Sequence, residues 1–411
     1  METNLVLAIG IIIVIGFFGG LAAERLKFPR ITGYILIGIL LSPSVLNVIS
    51  GTTIGNLGII TDVALGVIAF LVGGGLHLES VRKLGRSIAW ITPLQSLGAW
   101  FLVTLVLAFL FPRILSIPNA TFYDTYFPMA FIIGAVSCAT APAAIVAIIN
   151  QYRAKGPFTT TLLAVVALDD AIAVIAFAIA VGVCQPLVSG VGGVSFYQMF
   201  GVPFLQVAQS IGIGAAFGFA LIYIGRLVRT RALLLVAVFG MIMACIGVTN
   251  LLGISLILAN LTAGFIVVNR LKGTGMFLAL EEIEDVIFAM FFVLAGLHFD
   301  LGVMKTAGIL AGLIVLARCF GKYFGTRAGA TISHSSDAVK RYLGLALLPK
   351  AGVTLGLILL AERAFPTFGG IMMNAVLASV IINELIAPPL AKYAISKAGE
   401  AHPAPEESEI G

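Results

Sequence analysis

Long uninterrupted apolar segments follow one another along this chain from residue 4 to residue 391. About 20 consecutive apolar residues allow a helix to cross the hydrocarbon core of a bilayer, whereas the strands of a membrane barrel alternate apolar and polar residues. Hydrophobic residues make up 60% of the chain and charged residues only 10%, against about 25% charged residues in soluble proteins. The sequence therefore predicts an all-α polytopic membrane protein. It argues against a soluble enzyme, a nucleic-acid-binding protein and a β-barrel.

The apolar segments number thirteen when each is counted as one candidate membrane span. They cover residues 4–23, 31–48, 57–77, 87–111, 127–149, 158–184, 203–226, 231–249, 251–269, 283–299, 307–330, 342–361 and 369–391. The polar residues that follow are expected to form a disordered cytoplasmic tail.

Basic residues are distributed unequally between the two sides that alternating spans define. With the N-terminus outside, 18 of the 24 lysines and arginines lie in the inner loops and the C-terminal tail, and three lie in outer loops. Cytoplasmic loops of membrane proteins are enriched in lysine and arginine. We therefore expect a multi-pass protein with an outside N-terminus and a cytoplasmic C-terminus. Its net charge of +5 is expected to face anionic lipid rather than nucleic acid.

A short motif occurs once in each half of the chain. Residues 72–79 read VGGGLHLE and residues 293–300 read VLAGLHFD, at an offset of 221. The first copy ends span three on the inside and the second ends span ten on the outside. The sequence therefore predicts two six-helix repeats of inverted topology, joined by span seven.

Helix-breaking residues interrupt the two spans that this repeat places in corresponding positions. Span five contains Pro142, and span twelve contains Pro349, Lys350 and Gly352. Proline removes a backbone donor and leaves a carbonyl upstream without its helical partner. In inverted-repeat transporters the site lies near the bilayer midplane, where discontinuous helices meet. We therefore expect a crossing of two broken helices at these residues.

Two adjacent carboxylates, Asp169 and Asp170, lie at the centre of span six. A charged residue costs about 2.5–3.5 kcal/mol at the middle of a membrane helix, so this pair indicates a functional site. Neighbouring helical side chains point about 100° apart, so one carboxylate can pair with a cation while the other faces a hydrated cavity. Oxygen ligands suit hard cations, and Thr140 with the carbonyls near Pro142 could complete the shell. The pattern predicts binding of a proton or a small hard cation.

Further charged residues lie inside spans. Arg318 and Lys322 are one turn apart on span eleven and can compensate the carboxylates. A desolvated lysine can release its proton, whereas an arginine cannot. Lys350 is expected to offset the helix ends that meet in span twelve. Glu384, deep in span thirteen, is expected to pair with a core cation and is a secondary candidate for ion binding.

These segments together resemble the cation:proton antiporter superfamily, and within it the two-aspartate sodium/proton antiporters of the NapA and NhaA type. The resemblance covers nearly the whole chain. It is carried by ITGYILIGILLSPSVL, FLVGGGLHLESVRKLG, CATAPAAIVAII, VALDDAIAVIAFAIA, FFVLAGLHFDL, FGKYFG, LLPKAGVTLGLILLAER and INELIAPPL. Lys350 within the second broken helix departs from the pattern of that family.

The resemblance implies an NhaA-like fold and a division of the chain into domains with different roles. It implies a dimer domain (residues 1–80 and 231–300), a core ion-transport domain (87–184 and 307–393), a linker helix (185–230) and a tail (394–411). It also implies that Asp170 is the main ion-binding carboxylate. Asp169 would pair with a cation on span eleven, with Lys322 as the preferred partner and Arg318 as the alternative.

The function implied is a prokaryotic sodium/proton antiporter rather than an enzyme. Sodium would be held by Asp170, Asp169 and Thr140, the chain would act as a homodimer with elevator-like movement of its core, and no cofactor is expected. A potassium/proton antiporter with the same mechanism and a sodium-coupled symporter of organic anions are alternatives. The symporter would need a larger cavity and mostly neutral sodium ligands, and the adjacent aspartates argue against it.

Overall fold

The computed structural model of the protein describes most of the chain. It covers residues 4–26, 30–76, 78, 85–141, 145–146, 148–149, 152–189, 201–228, 230–271, 275–300, 302, 304–350 and 352–401.

Helices account for the regular structure of these residues, and the described part of the chain contains no strand. The helices are α1 (Leu5–Arg25), α2 (Arg30–Leu41), α3 (Gly51–Asn56), α4 (Gly58–Gly74), α5 (Gly85–Ile114), α6 (Phe127–Val136, preceded by one π-helical turn, Phe122–Tyr126), α7 (Pro157–Val188), α8 (Val202–Leu227), α9 (Arg231–Leu252), α10 (Leu256–Arg270), α11 (Gly275–Leu297), α12 (Met304–Ile332), α13 (Asp337–Ala346), α14 (Gly352–Ala364) and α15 (Gly369–Lys397).

The membrane class predicted from the sequence is confirmed. Among the described residues, seven helices are long and apolar enough to cross a bilayer, and several shorter apolar helices accompany them. The predicted count of thirteen spans and its inverted topology stay predictions. The second copy of the repeated motif lies at the end of α11, where the Nδ1 atom of His298 contacts the Leu294 carbonyl oxygen at 2.9 Å. Part of the first copy, including His77, lies outside the described residues.

Two predicted span boundaries are wrong, and a proline or a serine beside each one accounts for the observed helix end. Helix α2 ends at Leu41 rather than at residue 48, since the residue before Pro43 is disfavoured in the helical conformation. Helix α10 begins at Leu256 rather than at residue 251. The Ser255 hydroxyl accepts a hydrogen bond from the Leu258 amide at 3.2 Å, which is the usual role of a serine at a helix N-terminus.

Two further boundaries are wrong because helices continue past the apolar segment. Helix α11 begins at Gly275, not at residue 283. Its acidic first half is accommodated by an ion pair between Glu282 and Arg231 of 2.7 Å. Helix α15 continues to Lys397, so residues 394–397 of the predicted tail are helical.

Glycines allow α5 and α12 to pack along each other at close range. A Cβ atom at Gly321 of α12 would lie 2.5 Å from the Gly98 carbonyl oxygen of α5, and one at Gly325 would lie 2.3 Å from the Leu94 carbonyl oxygen. Small residues spaced four apart let the backbones of membrane helices approach each other. This close packing brings Lys322, which follows Gly321, against the polar residues of α5.

Non-helical residues follow α6 and lie between α13 and α14, and their meeting point is called here the crossing. Helix α6 ends at Val136, and the α13 helix ends at Ala346 before α14 begins at Gly352. The extended residues between them are joined by a hydrogen bond of 2.9 Å from the Ala141 amide to the Pro349 carbonyl oxygen. Pro142 lies outside the described residues.

The helices pack in two groups. Helices α1, α2, α4, α9, α10 and α11 contact one another and are called here the scaffold group, whereas α5, α6, α7, α12, α13, α14 and α15 form the core group. Helix α8 packs against α9 and α10 of the scaffold group and also contacts α7. The dimer and transport roles of these groups stay predictions.

Candidate functional site

Asp169 on α7 is surrounded by polar side chains from α5, α12 and the α6 break. The Lys322 Nζ atom lies 2.7 Å from Asp169 Oδ2, and both side chains are fully buried. The Ser96 hydroxyl donates to Asp169 Oδ1 at 2.7 Å, and the Gln95 side-chain amide donates to the same oxygen. The Thr140 hydroxyl donates to Oδ2. The carboxylate is therefore fully hydrogen-bonded by protein groups.

The ammonium group of Lys322 finds all its hydrogen-bond acceptors in the same cluster. It donates to Asp169, to Gln95 Oε1 at 2.7 Å and to Thr140 Oγ1 at 2.7 Å. An ammonium group has three protons, so each has a partner. A buried ion pair is tolerated when hydrogen bonds satisfy its remaining donors and acceptors. The structure thus places Lys322, and not Arg318, against Asp169.

Gln95 and Ser96 were not among the site residues predicted from the sequence. The signal was present, because an amide and a hydroxyl stand together in the middle of the otherwise apolar α5, in TPLQSLGAW. Polar residues inside membrane helices usually find polar partners on neighbouring helices. Which helix would supply the partner could not be read from the sequence, since the packing of α5 on α7 and α12 is a tertiary property.

Arg318 binds backbone carbonyls of both broken helices. Its guanidinium donates to the carbonyl oxygens of Ser137 at 2.9 Å, Ala139 at 2.7 Å and Leu348 at 2.6 Å. Carbonyls at a helix C-terminus lack intrahelical partners and carry partial negative charge. A planar guanidinium with five donors suits several such acceptors at once. Arg318 therefore organises the crossing.

Lys350 and Glu384 lie in the core without an ion pair among the described residues. The Lys350 Nζ atom has the Ser379 hydroxyl at 3.4 Å, and Glu384 Oε2 has no hydrogen-bond partner in the described chain. The expected pairing of Glu384 with a core cation is therefore not observed. Its neighbour Asn383 donates to the Leu348 carbonyl oxygen at 2.8 Å, which ties α15 to the crossing.

Asp170 has surroundings opposite to those of Asp169. It is 1% exposed, and neither of its carboxylate oxygens has a hydrogen-bond partner within the described residues. It lines a small cavity at the boundary between the core and scaffold groups. The other lining residues are apolar: Leu65, Ile68, Ala69, Val72, Val174, Ile257, Leu261 and Val353.

One aspartate pairs with a cation and the other lines a cavity, as expected, but two details differ from the expectation. The cavity beside Asp170 was expected to be hydrated, but its lining is apolar. Thr140 was expected beside the main ion-binding carboxylate, but it hydrogen-bonds to Asp169 and Lys322. Thr140 therefore belongs to the ion-pair cluster in this conformation.

A crossing of two broken helices over buried ionisable groups is the arrangement in which secondary transporters place their ion sites. Comparison with known families agrees with this geometry. Residues 10–392 match the family model described as sodium/hydrogen exchanger, transmembrane. The chain belongs to this family, which lies within the cation:proton antiporter superfamily.

One similar protein matches nearly the whole chain, and another matches less than half of it. The Na(+)/H(+) antiporter NhaS4 of Synechocystis is 26% identical over 408 residues, which cover 95% of this chain and 98% of that protein. The Na(+)/H(+) antiporter 1 of Methanocaldococcus jannaschii is 25% identical over 177 residues, or 42% of this chain and 38% of that protein.

The fold agrees with solved structures. The structure of the sodium proton antiporter MjNhaP1 from Methanocaldococcus jannaschii at pH 8 aligns with a TM-score of 0.77 and 17% identity, covering 96% of this chain and 98% of that chain. A second structure of MjNhaP1, from an electron-microscopy map, gives a TM-score of 0.72. At this identity the likeness concerns the fold alone.

Proposed function

We propose that this protein is a sodium/proton antiporter in which Na⁺ and H⁺ compete for Asp170. The observation that carries the proposal is the contrast between a fully hydrogen-bonded Asp169 and a buried Asp170 without a partner among the described residues. An unpaired buried carboxylate costs several kcal/mol. A bound proton or a bound cation removes that cost. Relatives named Na(+)/H(+) antiporters support the choice of ions.

Alternating access follows from where Asp170 lies. The cavity beside it is lined by α4 and α10 of the scaffold group and by α7 and α14 of the core group. Sliding of the core group along the scaffold group would carry Asp170 from one side of the membrane to the other. Rigid-body movement of one bundle of helices against the other is the usual form of alternating access in such folds.

The ion-pair cluster gives a source for a second proton. Sodium near Asp170 attracts the carboxylate of Asp169, the neighbouring residue, and competes with Lys322 for it. A lysine left without its partner in a dry site can release its proton. Two protons exchanged for one sodium ion would make transport electrogenic. Asp169 and Thr140 would contribute sodium ligands once the cluster opens.

The setting of this activity is also part of the proposal. We place the chain in a prokaryotic cell membrane with thirteen spans in an inverted repeat, the N-terminus outside and the C-terminus in the cytoplasm. The excess of lysine and arginine in alternate loops supports this orientation. The scaffold group would form the contact between the two subunits of a homodimer.

Proteoliposomes containing a pH dye test the proposal directly. Sodium or lithium added outside should drive protons out of the lumen, and potassium should drive fewer. Asp170→Asn keeps the size of the side chain and removes its charge, so we expect exchange to vanish while the protein still folds. Sodium-driven proton movement that survives in this variant would contradict the assignment of Asp170.

Asp285→Asn is the matched control. Asp285 is a highly exposed carboxylate on α11, its side chain 84% accessible, so its amide variant should transport like the wild type. Equal loss of exchange in both variants would point to a general effect of charge removal. A response of the wild type to potassium alone would favour the potassium/proton alternative.

A further inference from the structure

The helix that carries both aspartates begins without a cap of its own. Helix α7 starts at Pro157 after Gly156, and no local side chain accepts a hydrogen bond from its first turn. The first amides of a helix have no intrahelical partner, and they need an acceptor when they are buried. On this helix that acceptor comes from the other end of the chain.

Glu400 supplies the acceptor. Its Oε1 atom accepts from the Phe158 amide and its Oε2 atom accepts from the Thr159 amide, each at 2.8 Å. One carboxylate thus satisfies two neighbouring amides at the positive end of the helix dipole, where an anion is stabilising. The residues joined lie more than 240 positions apart in sequence.

The backbone on both sides holds this contact in place. The Lys155 amide donates to the Glu400 carbonyl oxygen at 3.3 Å, and the Glu400 amide donates to the Ile395 carbonyl oxygen at 3.4 Å. Gly156 has φ = +155°, a conformation that L-residues rarely adopt. A Cβ atom there would lie 2.3 Å from the Glu400 carboxylate. The loop before α7 is therefore shaped around Glu400.

The contact joins two helices that also meet at the crossing. Glu400 follows α15, and α15 contacts the broken segment through Asn383 and Ser379. Asp170 lies 12 residues beyond Phe158 on α7, or about 18 Å along the helix axis. A shift of the anchored end of α7 is transmitted along the helix to the aspartate pair, because Asp169 and its partners are closely packed.

We propose that Glu400 is a positioning residue for ion exchange, which anchors the start of α7 and thereby sets the register of Asp169 and Asp170 against Lys322. The inference rests on the proposed function for its transport readout. In enzymes a displacement of about 1 Å caused by a distant change can cost about 100-fold in rate, and we expect ion-binding carboxylates to be similarly sensitive to their placement. Loss of the anchor should therefore alter sodium binding, and not only the amount of folded protein.

Glu400→Ala and Glu400→Gln in proteoliposomes test the inference. We expect the half-saturating sodium concentration to rise at least threefold in Glu400→Ala and less in Glu400→Gln, which keeps one acceptor. Asp337→Asn is the matched control. It removes another acidic side chain from the first turn of a core-group helix, α13, and should leave half-saturation unchanged. Half-saturation equal to the wild type in both Glu400 variants would overturn the inference, whatever the change in thermal stability.

Sulfate offers a rescue that a purely structural role would not show. A helix N-terminus with free amides binds small anions, so sodium sulfate should restore half-saturation in Glu400→Ala relative to sodium chloride at equal sodium concentration and ionic strength. The wild type and Asp337→Asn should not respond. A raised half-saturation that sulfate leaves unchanged, or an equal response of all three proteins, would overturn the inference.

Hydrogen–deuterium exchange in nanodiscs separates this inference from the antiport proposal. Peptides covering residues 157–170 should exchange faster in Glu400→Ala than in Asp337→Asn, and the increase should reach the aspartate pair. This result does not depend on transport, so a wild type without sodium-driven proton movement would reject only the antiport proposal. An increase confined to the first three residues of α7 would reject the positioning role.

Discussion

Asp169 and Asp170 have identical side chains but different surroundings, because a helix turns by about 100° per residue. One carboxylate points at α5 and α12, where Gln95, Ser96 and Lys322 satisfy it. The other points at the boundary with the scaffold group, where apolar side chains surround it. On the proposed function, the pair therefore separates a carboxylate that is paired with Lys322 in this conformation from a carboxylate that is available to transported ions.

On the proposed function, Lys322 releases the second proton, and this proton makes the exchange electrogenic. We expect Lys322→Gln to abolish transport or to leave it electroneutral, because glutamine can replace a hydrogen bond but cannot release a proton. Wild-type exchange should respond to an imposed membrane potential, by about 2.3 kcal/mol per 100 mV for each charge moved. Valinomycin-clamped proteoliposomes provide the measurement. A Lys322→Gln protein that remains fully electrogenic would show that the second proton comes from the aspartate pair.

At the scale of elements, the crossing depends on Arg318, an arginine that stays protonated and so does not release a proton. Arg318 donates to three carbonyl oxygens near the ends of α6 and α13, of which only the Leu348 oxygen also accepts from the side-chain amide of Asn383 among the described residues. Interrupted helices are tolerated in a membrane where other protein groups satisfy the freed backbone. Arg318 on α12 thus supplies hydrogen bonds to backbone groups that the breaks in spans five and twelve leave without helical partners.

We expect Arg318→Gln to destabilise the protein by about 2–5 kcal/mol, since each buried acceptor left unpaired costs about 1–3 kcal/mol and the removed charge offsets part of that sum. Thermal unfolding in detergent measures the effect. Arg327→Gln on the same helix is the control, because Arg327 is exposed and should change stability little. Equal stability of the two variants would mean that Arg318 does not hold the crossing together.

The sequence predicts some elements well for physical reasons. Long apolar segments predict membrane helices. Charged residues inside them predict the ion site, because a charge inside a membrane helix costs free energy and usually marks a functional site. Partners brought by tertiary packing could not be predicted in this way. Gln95 and Glu400 carry no signal of which helix they contact, and Glu400 lies in a polar segment that resembles a disordered tail. The start of α10 at Leu256 depends on a local serine cap, and the acidic first half of α11 depends on an ion pair with another helix.

At the scale of the whole molecule, the two groups of helices are also joined at an end of the fold. Arg363 of α14 in the core group lies 2.6 Å from Asp62 of α4 in the scaffold group, and it donates to the Gly58 carbonyl oxygen at 2.9 Å. Partly exposed ion pairs contribute only about 0–1 kcal/mol. This contact can therefore break and re-form within a transport cycle without a large barrier.

A cross-link at this contact should stop exchange if the core group slides along the scaffold group. We expect Asp62→Cys with Arg363→Cys, in a background lacking Cys138, Cys184, Cys245 and Cys319, to lose transport when a short bis-methanethiosulfonate reagent joins the two thiols through reducible disulfides. Reduction should restore it. Arg231→Cys with Glu282→Cys is the matched control, because that ion pair of 2.7 Å joins α9 and α11 within the scaffold group.

The control pair distinguishes relative movement from general damage. Cross-linking within the scaffold group leaves the proposed sliding surface free, so exchange should continue at the rate of the untreated protein. Loss of transport in both pairs would indicate that the reagent or the cysteines harm the fold. Full transport by the cross-linked Asp62 and Arg363 pair would contradict sliding, because a covalent bond between α4 and α14 would then permit the whole cycle. Asp170 would in that case gain access to both sides through local opening of the apolar cavity.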